Sequence, residues 1–157
     1  MENRIISRYF EVDHDRLDEL FKNFQTLKRM DYPRSKEYFI AFKQGLQRHI
    51  VWEEDILFPL FEKKTGITSG GPTHVMRMEH RQIAEHLEAV HQKVKVADRN
   101  SDEEETKLIS VLAIHNQKEE HILYPAIDHA VTEADREAVF EAMKNIPEER
   151  YLVCCHS

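Results

Sequence analysis

Residues 49–59 read HIVWEEDILFP, and the pattern returns at residues 115–125 as HNQKEEHILYP. Each copy has a histidine, a glutamate four residues later, a second glutamate, Ile-Leu, an aromatic residue and a proline. The paired histidines, glutamates and prolines are all separated by the same 66 residues. A histidine and a glutamate at positions i and i+4 share one face of a helix. Two such helices packed together would present two imidazoles and two carboxylates to a common space, which is the outline of a metal site.

The same offset relates a second pair of helices. It takes Asp13-His14 to Glu79-His80, and it takes the apolar residues Leu17, Phe21 and Phe24 to Ile83, Leu87 and Val90. Apolar residues at this spacing indicate a helix with one buried face. The body of the chain is therefore predicted to be a helix pair that occurs twice.

Turn and cap signals predict five helices. Four begin at caps on Asp13, Ser35, Thr73 and Ser101, with a capping box at Ser101, and a short fifth helix runs from Thr132 to Ile146. Short loops favour an all-α, up-down-up-down four-helix bundle. We expect a domain over residues 1–131, with repeat halves at about 10–65 and 76–131, and an additional helix and tail over 132–157. The predicted inward faces end with Ile56 and Leu60 in one half, and with Ile122 and Ala126 in the other.

Composition narrows the class of protein. The net charge of −7 and the lack of a basic stripe argue against a nucleic-acid partner. No apolar run reaches membrane-spanning length, and the N-terminal residues lack the apolar core of a signal peptide. The only cysteines, Cys154 and Cys155, are adjacent and are not a disulfide framework. These features favour a cytoplasmic protein that does not associate with membranes.

Helix lengths place six polar residues at one depth of the bundle, to within a turn or two. They are the four histidines and two glutamates of the repeated faces: His14, His49, Glu53, His80, His115 and Glu119. Without metal, this layer would bury two carboxylates near each other at a cost of several kcal/mol each unless they are paired. Two cations would offset that cost. Imidazole and carboxylate without thiolate suit Fe, Mn or Zn. Glu53 and Glu119 are placed to bridge two ions, each with two histidines and room for a small ligand.

At these residues the sequence resembles the hemerythrin-like, or HHE cation-binding, family. The matching segments are DHDRL at 13–17, the His49 to Pro59 motif, EH at 79–80 with Ile83, and His115 with Glu119. The resemblance implies a four-helix bundle around two non-haem irons with an oxo or hydroxo bridge. It implies that the four histidines are iron ligands and that Glu53 and Glu119 are the bridging carboxylates. It also implies a small ligand such as O₂, nitric oxide or peroxide, or a role in iron handling or sensing.

The sequence departs from that pattern at one position. Oxygen-carrying hemerythrins have a further histidine one turn before the counterpart of His80, where this chain has Met76. We therefore expect redox, nitrosative or peroxide chemistry more than reversible O₂ carriage. His74 could supply the missing ligand only if the glycine-rich loop before it folds inward. Proteins that repair damaged iron centres are of the same general type but carry a further N-terminal domain, which we do not expect in this chain.

Two other classes of function stay open. Glu11 with His14, and Glu88 with His91, resemble the Glu-x-x-His pairs of ferritin-like ferroxidases. A non-enzymatic module is the other class, in which the state of the iron changes the fold and a protein partner binds residues 130–157. The sequence does not decide between carrier, sensor and enzyme.

Residues beside the predicted ligands, and those at the C-terminus, are interpreted as structural. Trp52, Phe58 and Tyr124 are predicted to pack around the site or the bundle. Glu54 and Glu120 are predicted either to orient ligand imidazoles or to lie on a solvated face. Cys154, Cys155 and His156 are interpreted as a frayed terminus.

Overall fold

The computed structural model describes residues 5–152, and within them the chain forms helices and no strands. The helices are α1 (Ile6–Leu27), α2 (Tyr32–Trp52), α3 (Phe58–Thr65), α4 (Pro72–Lys95), α5 (Asp102–Lys118), α6 (Tyr124–Ala130) and α7 (Glu133–Lys144), with a 3-10 turn at Glu148–Arg150. Two π-helical turns, Glu53–Leu57 and Glu119–Leu123, join α2 to α3 and α5 to α6. The predicted all-α bundle is confirmed.

The repeated helix pairs are visible in the packing. α1 packs most extensively on α2, and α4 packs on α5. The two halves meet where α1 and α3 contact α6 and where α2 contacts α4. Short loops at 28–31, 66–71 and 96–101 make successive long helices antiparallel. Gly66 ends α3 with φ at +76°, a left-handed conformation that glycine adopts without a steric penalty.

Helix α1 begins earlier than the sequence predicted. Asp13 is not its cap, because the helix already starts at Ile6, and Ile6 and Phe10 are fully buried. The cap comes from α6, where the Asp128 carboxylate accepts hydrogen bonds from the backbone N–H groups of Ile6 and Ser7, both at 2.9 Å. A cap supplied from 122 residues away leaves no local signal.

Other helix starts also differ from prediction. Helix α2 begins at Tyr32 and is capped by Asp31, whose carboxylate accepts from the N–H of Arg34, so Ser35 is not the cap. Helix α4 begins at Pro72 after Gly71, so Thr73 is not its cap. The capping box at Ser101 is wrong, because that side chain makes no cap hydrogen bond and donates to Glu105 instead. The cap at Thr132 is confirmed.

Each π-turn begins at one of the two glutamates of the repeated motif. The N–H of Phe58 bonds to the carbonyl of Glu53, and the N–H of Tyr124 bonds to the carbonyl of Glu119, both five residues back. Proline follows directly in both halves and has no N–H to continue the α-helical pattern. Such π-turns insert one extra residue and occur often at functional sites.

The extra residue shifts the inward face of both helices by one position. Leu57 and Leu123 are buried, whereas Ile122, predicted to face inward, is 64% exposed. Ile56, Leu60 and Ala126 lie only partly buried at the edge of the core. The shift brings two aromatic residues, Phe58 and Tyr124, fully inside the bundle.

Two apolar clusters divide the interior. One contains Phe10, Trp52 and Met76 together with Val139 and Met143 of α7. The other contains Phe21, Phe42 and Leu87. The residues of the predicted metal layer lie along each helix between members of these two clusters. Among residues 5–152, no helix combines the length and the apolar composition that crossing a membrane would require.

Candidate metal centre

The structure brings the six predicted ligand residues together. Each is at least 96% buried: His14, His49, Glu53, His80, His115 and Glu119. His49 and His115 each lie about one turn before a glutamate, Glu53 or Glu119, that begins a π-turn. Among the described residues, these six form two groups whose donor atoms lie within 4.8 Å of one another. Their role as ligands stays a prediction.

The first group, called here the His14 subsite, contains His14, His49 and Glu119. The Nε2 atom of His14 lies 3.2 Å from Oε1 of Glu119. The rings of His14 and His49 are 4.6 Å apart between centroids. Three donor atoms from these residue types therefore converge on one point.

The second group, the His80 subsite, contains Glu53, His80, His115 and Glu119. Nε2 of His80 lies 3.1 Å from Oε1 of Glu53, and Nε2 of His115 lies 3.2 Å from Oε1 of Glu119. The two histidine rings are 4.9 Å apart. Each subsite thus contains one histidine pair related by the repeat and at least one of the two glutamates.

Both glutamates contact both subsites. Glu53 places Oε1 beside His80 and Oε2 at 3.7 Å from Nε2 of His49. Oε1 of Glu119 lies 3.2 Å from the Nε2 atoms of both His14 and His115. Carboxylates in this position can bridge two cations, as the sequence predicted.

A second ring of carboxylates orients the histidines. Each Nδ1–H donates to a carboxylate: His14 to Glu120 at 2.9 Å, His49 to Asp13 at 2.8 Å, His80 to Glu54 at 2.6 Å and His115 to Glu79 at 2.9 Å. The 66-residue offset relates these pairs to one another as well. Because Nδ1 is occupied, the lone pair of Nε2 points into the site, which is the arrangement that metal-binding histidines use. Glu54 and Glu120 therefore orient imidazoles.

Tyr124 packs at the site, as the sequence predicted, but the entry of its hydroxyl among the candidate ligands was not predicted. Its hydroxyl oxygen lies 2.7 Å from Oε2 of Glu53 and 2.9 Å from Oε1 of Glu119. The same oxygen lies 3.1 Å from Nε2 of His49 and 3.3 Å from Nε2 of His14. The only sign of this in the sequence was the presence of a tyrosine before the second proline. The π-turn that precedes Tyr124 directs its side chain inward.

Unpaired polar atoms in the His80 subsite support cation binding. Within residues 5–152, Oε1 of Glu53, Nε2 of His80 and Oε2 of Glu119 are buried and make no hydrogen bond as long as the His80 ring carries its proton on Nδ1 alone. Buried polar atoms without a partner are rare and costly. The first two atoms are only 3.1 Å apart, so a positive charge between them removes the cost. The residues present fit a pair of bound cations.

Comparison with known proteins decides the family. The model of the Hemerythrin HHE cation binding domain matches residues 6–127, most of the chain. The chain is a member of this family.

Curated relatives match about half of the chain. The iron-sulfur cluster repair protein YtfE of Edwardsiella ictaluri (strain 93-146) is 34% identical over 92 residues, which are 55% of this chain and 42% of the relative. YtfE of Yersinia pseudotuberculosis serotype IB (strain PB1/+) is 33% identical over 94 residues, 56% of this chain and 42% of the relative. The match thus spans less than half the length of these relatives. No solved structure was found that matches the chain.

Buried carboxylates of this hemerythrin domain hold protons on His49 and His80 when no cation is bound, as the pKa values of these two rings indicate. Burial alone would lower the pKa of His49, but the charge of Glu53 and the hydrogen bond to Asp13 outweigh burial and raise that pKa to about 10. The same balance, with hydrogen bonds to Glu53 and Glu54, raises the pKa of His80 to about 9. Protons and cations therefore compete for the same ring nitrogens.

Several other candidate residues lie outside the hemerythrin site. His74 is exposed, so it does not replace the absent histidine, and Met76 is buried in an apolar cluster. Glu88 pairs with His91 at 3.3 Å, and neither belongs to a metal-capable group among the described residues. Cys154, Cys155 and His156 lie outside the described residues.

Proposed function

We propose that this chain is a non-haem di-iron protein that binds or reacts with a small ligand. The ligand is nitric oxide or peroxide in preference to O₂, and the protein protects iron centres under stress. The iron and the protective role are suggested by the relatives, which are named as iron-sulfur cluster repair proteins. The donor set alone fits Fe, Mn or Zn. The proposed compartment is the reducing cytoplasm.

The observation that carries the proposal is the pair of subsites that share two buried carboxylates. Glu53 and Glu119 each contact histidines of both subsites. Oε1 of Glu53, Nε2 of His80 and Oε2 of Glu119 are buried without a hydrogen bond within residues 5–152. When bound, two irons supply a redox couple and a coordination position for a small ligand. The protein holds the four rings through their Nδ1 carboxylates and surrounds them with apolar side chains. Those side chains exclude water from the layer.

The chain favours reaction over simple O₂ carriage because of Met76. Its side chain is 3% exposed and packs in the same apolar cluster as Phe58 and Leu123. The position of the further histidine of oxygen carriers is therefore filled by an apolar group. The subsite of His80, one turn after Met76, consequently has one histidine donor fewer than in the oxygen carriers. This leaves more room for an exogenous ligand.

Gas exposure of the reduced, iron-loaded protein tests this proposal. We expect the visible spectrum of the oxidised protein to bleach on reduction, and nitric oxide or peroxide to change the reduced spectrum within one turnover. Reversible return of the starting spectrum after O₂ is removed would instead show a carrier. Zinc-loaded protein is the matched control, because Zn²⁺ has no redox chemistry and no visible spectrum.

A sensor module is a second candidate, and one contact favours it. Arg150 donates to Asp55 at 2.5 Å, and Asp55 lies in the π-turn that begins at Glu53. Helix α7 also contacts that turn. A change at Glu53 could thus reach residues 130–152, where a protein partner is proposed to bind. Limited proteolysis should then cut this region faster in one ligand state than in the other. Equal cutting rates in all states, with turnover of ligand, would contradict a sensor and leave an enzyme.

A further inference from the structure

The Tyr124 hydroxyl lies in unusual surroundings. It is fully buried, and four groups lie within 3.3 Å of its oxygen: Glu53, Glu119, His14 and His49. The Nδ1 atoms of both histidines donate to carboxylates, so their Nε2 atoms face the phenol. A phenol has one proton to donate. It cannot donate fully to the carboxylates of both Glu53 and Glu119, whereas a cation beside it can bind both carboxylates and the phenol oxygen.

The repeat places a different residue at the equivalent position. Phe58 is 66 residues before Tyr124, and its ring lies 5.8 Å from the ring of His80. The ring of Tyr124 lies 5.8 Å from that of His14, the repeat counterpart of His80. The two aromatic rings therefore stand in the same relation to their subsites, and only one of them carries an oxygen.

Donor numbers match this difference. Three histidine and carboxylate donor atoms lie within 4.8 Å of one another in the His14 subsite, and four in the His80 subsite. Glu53 approaches the His14 subsite less closely, with Oε2 3.7 Å from Nε2 of His49. The buried atoms of these ligand residues that lack a hydrogen bond within residues 5–152 face the His80 subsite or belong to Glu119, and none belongs to His14 or His49. The phenol therefore adds a donor to the His14 subsite, while the His80 subsite keeps an open coordination position.

We propose that the Tyr124 oxygen is a metal ligand of the His14 subsite, and that the ion in the His80 subsite keeps the open position where the small ligand binds. This inference rests on the proposed function, since it assigns the ligands of the same two ions. When the cation binds, the phenol O–H bond breaks, the oxygen keeps the electron pair and bonds to the ion, and the proton passes to the buffer. A bound cation is the largest local charge and favours the ionised phenol. The protein thereby makes two otherwise equivalent ions chemically different.

Resonance Raman spectroscopy of the oxidised, iron-loaded protein tests the tyrosine directly. Wild-type protein should show tyrosinate ring modes on excitation in a phenolate-to-Fe(III) charge-transfer band. Tyr124→Phe should lose these modes and bind one of its two irons about tenfold more weakly. Two irons per wild-type chain without tyrosinate modes would overturn the inference and leave the proposed function intact. Absence of iron from the wild-type protein would overturn both.

Phe58→Tyr is the mirror-image variant. A phenol placed beside His80 should occupy the open position, add a second set of tyrosinate modes and abolish the spectral change caused by azide, a small anionic probe. Tyr124→Phe should keep the azide response. Unchanged azide binding in Phe58→Tyr, with two irons bound, would show that the open position is not in the His80 subsite. If either variant fails to fold, the wild-type Raman spectrum alone decides whether Tyr124 is a ligand.

Discussion

Glu53→Ala is expected to abolish the binding of both metal ions. The two oxygens of this carboxylate face different subsites, with Oε1 beside His80 and Oε2 beside His49 and Tyr124. Removing it takes a donor from each ion and leaves the positive charges of both without a bridge. Metal content per chain, measured after loading and desalting, should fall from about two to near zero, because each ion has lost one of its donors.

Glu88→Ala is the matched control for this loss. Glu88 also accepts a hydrogen bond from a buried histidine, His91, but it lies outside both subsites and is half exposed. We expect full metal content in this variant. Loss of metal in Glu88→Ala with retention in Glu53→Ala would instead place the centre at the Glu-x-x-His pairs and favour a ferritin-like ferroxidase.

Metal removal should lower thermal stability, and more strongly as the pH rises. Bound metal at about a thousand times its dissociation constant stabilises a protein by about 4 kcal/mol, which is a shift of roughly 10 °C for a chain of this size. In the stripped protein the pKa of His49 is raised to about 10 and that of His80 to about 9. Their stabilising protons are fully bound below the unfolded pKa of about 6.5, and the stabilisation is lost as the pH rises through the folded values.

Melting temperatures of stripped and loaded protein between neutral pH and about pH 10 check this expectation. The stripped protein should lose stability across this range. The loaded protein should not, because its ligand histidines are already unprotonated. Zinc-loaded protein separates the effect of ligation from that of iron redox chemistry. A melting temperature of the stripped protein that is independent of pH would mean that the histidines hold no protons between the carboxylates.

Much of the fold and of the site follows from the 66-residue repeat. His49 with Glu53, and His115 with Glu119, sit at helical spacing, and His14 and His80 follow from the same offset. Amphipathic helices of this length leave few ways to pack, so the depth of each histidine could be computed from the helix rise. The six residues meet because the repeat places equivalent residues at the same depth in both helix pairs.

The place of the Tyr124 hydroxyl among the candidate ligands could not be predicted in the same way. Its inward position depends on a π-turn, and an α-helical pattern gives the inward position to Ile122, which is exposed. Proline after the aromatic residue in both halves is the only local sign of that turn. The start of α1 was missed for a different reason, since its cap, Asp128, lies in another helix. Contacts between distant residues carry no periodicity along the chain.

The carboxylates that accept hydrogen bonds from the histidines were predictable in one respect and unpredictable in another. Asp13 and Glu79 precede ligand histidines in sequence, yet each accepts from the other histidine of its half, His49 and His115. Glu54 and Glu120 accept across the halves, from His80 and His14. The residue types were evident from the motif, but the choice of partners depends on how the helix pairs pack.

Metal content of the protein purified in air, with its visible spectrum before and after reduction, tests the central claim most directly. The account predicts about two irons per chain and charge-transfer bands that bleach on reduction. A chain that holds no metal, and that gains no thermal stability when Fe(II) is added without oxygen, would contradict it. The six buried residues would then form a proton-linked polar network in a structural or partner-binding bundle.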